Sequence, residues 1–207
     1  MLLTLGSRSY DVTTRALVVG VLTVASTPLP TLCRDAERLV DEGADLLDLA
    51  DAGVDDVCAA VGALSTGVAV PLGVLTSRMD VSGPAVAAGA SLTRDPGVAH
   101  ATGAALVVSG AALARTAARC GIAPERIVLD IAPRVRPTPD ELALGYPVLT
   151  SACPPPAGAE DARAAVLATA ALAVSSGCRL VRTADVRGIR RVRDVLAAVL
   201  AAGEEPR

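Results

Sequence analysis

An aspartate at the end of an apolar run is the first residue in this chain equipped for chemistry. In IVLDIAPRVRP (127–137), Asp130 follows Ile-Val-Leu and precedes a segment rich in proline and arginine. A carboxylate so placed is either a ligand acid or the cap of the turn that follows, and Arg134 and Arg136 stand near enough in sequence to neutralise it. A second group of acids, Asp48, Asp51, Asp55 and Asp56, lies in DLADAGVDD. Clustered carboxylates suit Mg2+, while helix capping and first-turn placement account for them with fewer assumptions. Arg182 and Asp185 precede a segment bearing Arg187, Arg190, Arg191 and Arg193. A helix N-terminus beside Arg182 would suit phosphate or sulfate, with Asp185 as its cap; the four arginines otherwise make a solvated face. His100, in PGVAHATG, has no serine or cysteine partner near it in sequence, which argues against a catalytic triad.

The elements that must position these residues alternate. Short Val/Leu/Ile runs at 16–24, 45–50, 70–75, 90–93, 104–109, 126–131, 146–151 and 178–183 read as strands. Between them lie Ala-rich helical stretches: one opened by Pro28 and Pro30 and ended at Gly43, then about 54–64, 79–88, 111–121, 159–175 and 186–201. Continuous apolarity, as opposed to alternation, marks strands covered on both faces, as in parallel sheets. Eight such units in a row predict an α/β fold, a compact (β/α)8 TIM barrel, with a doubly wound open sheet as the alternative. Residues 1–15, with Gly6-Ser7 at the turn, predict a short N-terminal β-hairpin; 203–207 form a flexible tail of one single domain, 1–207. In the final helix Ile189, Val192, Val195, Leu196 and Val199 form the expected inward stripe.

A barrel collects function at the C-terminal ends of its strands. That rule nominates Thr23, Asp48, Asp51, Leu75, Thr76, Arg94, Asp95, Asp130, Ser151, Arg182 and Asp185.

Composition excludes several classes. The 207 residues contain no Lys, Asn, Gln, Phe or Trp, which reads as compositional bias more than as choices at single positions. A formal net charge of -3 gives no broad attraction to nucleic acid or anionic lipid. Mean hydropathy is +0.50, yet the uncharged runs at 16–33 and 96–114 are broken by Gly, Pro, Ser and Thr and do not resemble membrane spans. Five cysteines, at 33, 58, 120, 153 and 178, never form C-x-x-C and read as buried free thiols. With no evident signal peptide, the expected location is cytoplasmic.

The strand ends also carry a family resemblance. GVLTVASTP (20–28) resembles the first-strand signature GILNVTPDS of the dihydropteroate synthases, pterin-binding TIM barrels of folate biosynthesis, and EGADLLDLADAG (42–53) resembles GADIIDIGGES. VPLGVLTSR (70–78), AGASLTRDPG (88–97), GIAPERIVLDIAPRV (121–135), GYPVLTSACPP (145–155) and LVRTADV (180–186) are similar, in order, to the family's later strand-end motifs.

The resemblance implies a transferase that joins a pterin diphosphate to p-aminobenzoate, with a buried carboxylate on the pterin's donor edge and cationic groups around the leaving anion. Asp130 matches the pterin acid and Arg182 the arginine that contacts ring and anion. Elsewhere the chain departs: Thr23 replaces an Asn, Leu75 an Asp, Arg94 an Asn, Pro155 a Lys and Ala184 a His. The loops that would shield a cationic intermediate are also shortened. The expected pterin- or substrate-binding candidates are thus Asp130, Arg182, Arg94, Asp95, Thr76 and Ser151, and the anion-binding candidates Arg182, Asp185 and Thr23. No metal site or certain cofactor is expected; Mg2+ enters only if synthase activity is retained.

Three readings follow. The first is a dihydropteroate synthase-like protein with weak or no activity and at most a remnant pterin or phosphate-like anion pocket. The second is an active synthase or a pterin-dependent methyltransferase, and the third a non-catalytic dimeric scaffold or regulator. A helix at 159–175 that is apolar almost all round predicts a homodimer through the last helices, 159–175 and 186–201. Nucleic acid and membrane are not expected partners.

Overall fold

The structure, a computed structural model, describes residues 1–50, 53–76, 78–152 and 159–203, with the side chains of 159–161 and 200–203 left aside. Asp51, Cys153, Pro155 and the tail beyond Gly203 lie outside the described residues. Strands β1 (Leu2–Leu5) and β2 (Arg8–Asp11) form the expected antiparallel hairpin, turning at Gly6. Eight parallel strands then close a barrel: β3 (Leu17–Thr23), β4 (Leu46–Ala50), β5 (Leu72–Val74), β6 (Leu92–Thr93), β7 (Ala105–Ser109), β8 (Ile127–Asp130), β9 (Val148–Ser151) and β10 (Leu180–Thr183). Closure comes from β10 pairing with β3, Leu180 opposite Leu17.

The helices are α1 (Leu29–Glu42), α2 (Val54–Gly67), α3 (Met79–Ala87), α4 (Pro96–Thr102), α5 (Ala111–Arg119), α6 (Pro139–Leu142), α7 (Ala159–Ser175) and α8 (Val186–Gly203). Two of these, α4 and α6, are short and have no counterpart in the expected pattern. Both begin on proline behind a side-chain cap, Asp95 for α4 and Thr138 for α6. Gly43 ends α1 at φ 104°, a backbone conformation that favours glycine, and the Arg190 side chain lies over the space a Cβ would take.

Side-chain parity separates two cores. Outward residues such as Leu47, Leu49 and Val181 pack under the helices, whereas Leu17, Val19, Leu46, Leu92, Ala105, Val107, Val128, Leu149 and Leu180 fill the barrel. Leu3, Leu5 and Val12 of the hairpin join that inner cluster and close the end of the barrel where the strands begin. Sealing with apolar residues at this end fits the division of a barrel into a stability face and a functional face.

The last helix departs from expectation on two counts. Val195 and Val199 are 63% and 61% exposed, so the inward stripe is Ile189, Val192 and Leu196. Arg193, expected on the solvated face, is buried: its Nη1 donates to Asp45 Oδ2 at 2.6 Å, and that same oxygen accepts the Val18 N–H at 2.8 Å. The apolar stripe turns away from Val195 because Arg193 must follow Asp45, which fixes the start of β3. Of the four described cysteines only Cys178 is buried, and burial pushes its thiol up to about 11; Cys120 is exposed.

The segment between β8 and β9 is fixed by a second ion pair. Arg134 donates Nη2 and Nη1 to the two carboxylate oxygens of Glu141 at 2.6 and 3.1 Å, while the Arg134 carbonyl accepts Thr150 Oγ1 at 2.6 Å. Glu141 also accepts the Thr138 N–H at 2.8 Å in a capping box. The Arg134 hydrogen bonds, with the Thr138 N–H, hold the Glu141 carboxyl down at about 2 against an ordinary 4.5. An acid whose value falls on folding stabilises above its unfolded value, and that stability is lost as pH drops through the folded one. Glu141→Gln is therefore expected to cost about 1–2 kcal/mol at neutral pH. Urea unfolding between pH 4.5 and about 2 should show a shallower stability loss for the variant than for the parent.

Candidate functional site

The parity that fills the barrel with Leu46, Leu92, Val128 and Leu180 puts the residue two positions further along each of those strands on the same inner face. Those residues are Asp48, Arg94, Asp130 and Arg182. They come from β4, the end of β6, β8 and β10, alternate strands of the barrel, as the four members of one interior layer should. Around the barrel their charges alternate: carboxylate, guanidinium, carboxylate, guanidinium.

Two ion pairs satisfy this layer. Arg182 Nε donates to Asp48 Oδ2 at 2.5 Å, and the Leu75 N–H donates to Asp48 Oδ1 at 3.1 Å. Arg94 Nη2 donates to Asp130 Oδ2, and the Ala132 N–H donates to Asp130 Oδ1 at 2.8 Å. The second Arg94 nitrogen, Nη1, reaches Ser109 Oγ at 3.4 Å. Asp48 is fully buried and Asp130 nearly so, while both arginines keep about a quarter of their side-chain surface, 26%, open at the mouth. Burial raises the Asp48 carboxyl above its usual value; the Arg182 charge and hydrogen bond, the Leu75 N–H and the Arg94 charge pull the other way.

Asp130 and Arg182 thus lie together at the barrel mouth, but each is engaged by a partner within the chain. The neighbour that neutralises Asp130 is Arg94, from the end of β6, one strand beyond β7; Arg134 is committed to Glu141. Asp95 points away from the barrel and caps α4, accepting the Gly97 and Val98 N–H groups at 2.8 and 3.1 Å. Thr76 accepts the Arg78 N–H at 3.1 Å. Ser151, half-buried, ends β9 in register with Arg182.

Two of the expected anion-site residues, Arg182 and Asp185, have partners within the chain. Asp185 accepts the Gly188 N–H at 2.9 Å at the start of α8 and the Nε of Arg163 at 2.9 Å. Thr23 is exposed at the end of β3, its carbonyl accepting Thr27 Oγ1 at 3.0 Å. Asp55 and Asp56 stand in the first turn of α2, away from Asp48. Among the described residues no three His, Cys, Asp or Glu side chains converge on a point that would hold a metal ion. With both carboxylates of the layer held by guanidiniums, the residues present do not fit Mg2+.

Asp48 as the partner of Arg182 is the contact sequence reasoning missed. The signal was present in LLDLA: Leu46 and Asp48 share a parity, so an inner Leu46 requires an inner Asp48, and a buried acid requires a cation.

No family model matches the chain, and no curated protein matches it by sequence. Solved structures do match. Yersinia pestis dihydropteroate synthase with a pterin–sulfa conjugate is 20% identical at a TM-score of 0.83, over 97% of this chain and 100% of that one. Xanthomonas albilineans dihydropteroate synthase in complex with 7,8-dihydropteroate is 22% identical at 0.83, over 100% of each chain. Mycobacterium tuberculosis Rv1207 is 25% identical at 0.79, over 99% of each. The resemblance carried by the strand-end motifs extends to the backbone: this chain has the dihydropteroate synthase fold from end to end.

Proposed function

We propose that the chain is a dihydropteroate synthase-like barrel with little or no synthase activity, whose pterin site has been converted into a structural layer. The observation that carries this reading is the pairing of Arg94 with Asp130. A carboxylate that holds the N–H edge of a heterocycle needs lone-pair sites that face the ligand, with no cation already set against them. Here one oxygen takes the Ala132 N–H and the other takes a guanidinium, itself a planar array of N–H donors. Arg94 therefore supplies from within the chain what a pterin edge would supply from outside.

The leaving-group side supports the same reading. Arg182, the arginine that would meet a diphosphate, is tied to Asp48, and the start of α8 is capped by Asp185. Thr23 and Ala184 offer neither an amide nor an imidazole. Chemistry that generates a cationic methylene needs preorganised charge at the leaving anion and exclusion of water, and neither is supplied by these residues.

A second reading, compatible with the first, is a homodimer through α7 and α8. Leu172 on α7 and Val195 and Val199 on α8 are 44%, 63% and 61% exposed, an apolar surface on adjoining helices. In that case the last helices serve association in a scaffold or regulator.

Three measurements decide. An assay with the pterin diphosphate, p-aminobenzoate and Mg2+ should give no turnover above the uncatalysed rate, whereas about one turnover per second would restore the transferase reading. Arg182→Met should cost about 2–4 kcal/mol at neutral pH by leaving Asp48 buried without its cation. Without Arg182 the Asp48 carboxyl rises further. An acid raised on folding stabilises below its unfolded value and loses that stability as pH rises, so the deficit of the variant should shrink on acidification, as read by urea unfolding. Finally, Val195→Asp should yield a folded monomer by sedimentation where the parent sediments as a dimer.

A further inference from the structure

Helix α5 is built from AALARTAAR, nine residues with two arginines and no acid. Arg115 and Arg119 stand four apart, on one face of the helix, where like charges repel. On α1 and α8 such a charge is met from within the helix: Arg38 has Asp35 and Glu42, and Arg190 has Asp194. Among the described residues neither Arg115 nor Arg119 makes an ion pair. Arg119 Nη2 donates to Thr116 Oγ1 at 3.2 Å, and that hydroxyl donates in turn to the Ala112 carbonyl at 3.0 Å. Nor does the end of the helix call for a side-chain donor: the Thr116, Ala117 and Ala118 carbonyls accept the N–H groups of Cys120, Ile122 and Gly121.

The two guanidiniums line a groove of about 480 Å³, within the ~300–1,000 Å³ typical of small-molecule sites. Its other lining residues are Ala112, Thr116, Ala118 and Tyr146. Tyr146 belongs to the segment between α6 and β9, and α6 has only four residues, so it is this segment that faces α5 here. Tyr146 is half-buried against the same apolar cluster as Ala118. No carboxylate lines the groove. The groove between α1 and α8 also collects arginines, but Glu37, Asp41, Glu42 and Asp194 stand in its wall.

Charge balance sets the class of ligand. With two guanidiniums and no resident acid, a neutral ligand leaves their repulsion in place and a monoanion cancels only half of it. A dianion cancels both charges. Arginine forks match phosphate oxygens in a plane, and of the five N–H donors on each guanidinium only one is engaged, on Arg119. The groove is larger than a phosphate group, and Ala112, Ala118 and the Tyr146 ring give the remainder an apolar wall.

We infer that this groove binds the dianionic phosphate of a phosphomonoester between Arg115 and Arg119, with the organic body against Tyr146. The site lies on the outside of the barrel, apart from the charged layer, and its test involves no pterin. Titration calorimetry of the full chain with phenyl phosphate, at constant ionic strength and about pH 7.5, should show one saturable site. The second pKa of a phosphomonoester is ~6, so at pH 5 only about a tenth is dianionic and the affinity should fall about tenfold. No lining side chain titrates in that range. Arg115→Gln and Arg119→Gln, both at exposed positions, should keep the parent Tm and each weaken binding at least about tenfold. Inorganic phosphate, the head without the body, should bind more weakly than the ester. Equal affinity at the two pH values overturns the dianion, and binding that survives both substitutions overturns the location. Inorganic phosphate binding as tightly as phenyl phosphate overturns the ester, and absence of phenyl phosphate binding overturns the site.

Discussion

Two ion pairs inside the mouth of the barrel constrain everything around them. Asp48, Arg94, Asp130 and Arg182 occupy one layer of the interior, where a lone carboxylate would be strongly destabilising and a paired one costs little or nothing net. Each pair joins strands distant in sequence, Asp48 to Arg182 and Arg94 to Asp130. A slip of one residue in any of the four strands would turn its charge outward, under the helices, and leave its partner uncompensated. The alternating ring therefore specifies register as strongly as the leucines beneath it. Those leucines, with the hairpin residues Leu3 and Leu5 below, make the opposite end of the barrel uniformly apolar.

The same layer links fold to function. On the reading proposed above, an inner acid at the end of β8 that bound a pterin would need lone-pair sites facing that ligand. Arg94, at a position where the resemblance has an asparagine, sets against Asp130 a group that donates in a plane and bears the compensating charge. The loss of one amide is thus not a simple weakening of a site. It brings Asp130 an internal partner.

Most of the architecture was legible in the sequence because both-face burial writes strands as unbroken Val/Leu/Ile runs and βα units as a fixed alternation. What escaped was local or three-dimensional. PGVAHATG and PTPDEL form helices of seven and four residues, too short to display a periodic stripe. Arg193 sits among arginines that are exposed, and only the position of Asp45, 148 residues away, distinguishes it. Asp48 was visible as an acid but not as an inner-layer residue, because its role follows from the parity of Leu46, which needs the barrel to be closed before it has meaning.

The depth of the charged layer explains why it persists. The arginines keep about a quarter of their surface, 26%, at the mouth, so water screens one side of each pair while the carboxylates below remain dry. This is an intermediate regime, in which removal of one partner is expensive while the intact pair is close to neutral. Such a layer resists stepwise loss: any single substitution strands a charge, and only a coupled change of both partners escapes the penalty. The pairing with Arg94 is by itself a reason for Asp130 to be kept, because its removal would strand the guanidinium. Asp130 can therefore persist at the strand end with the Arg94 guanidinium and the Ala132 N–H as its partners inside the protein.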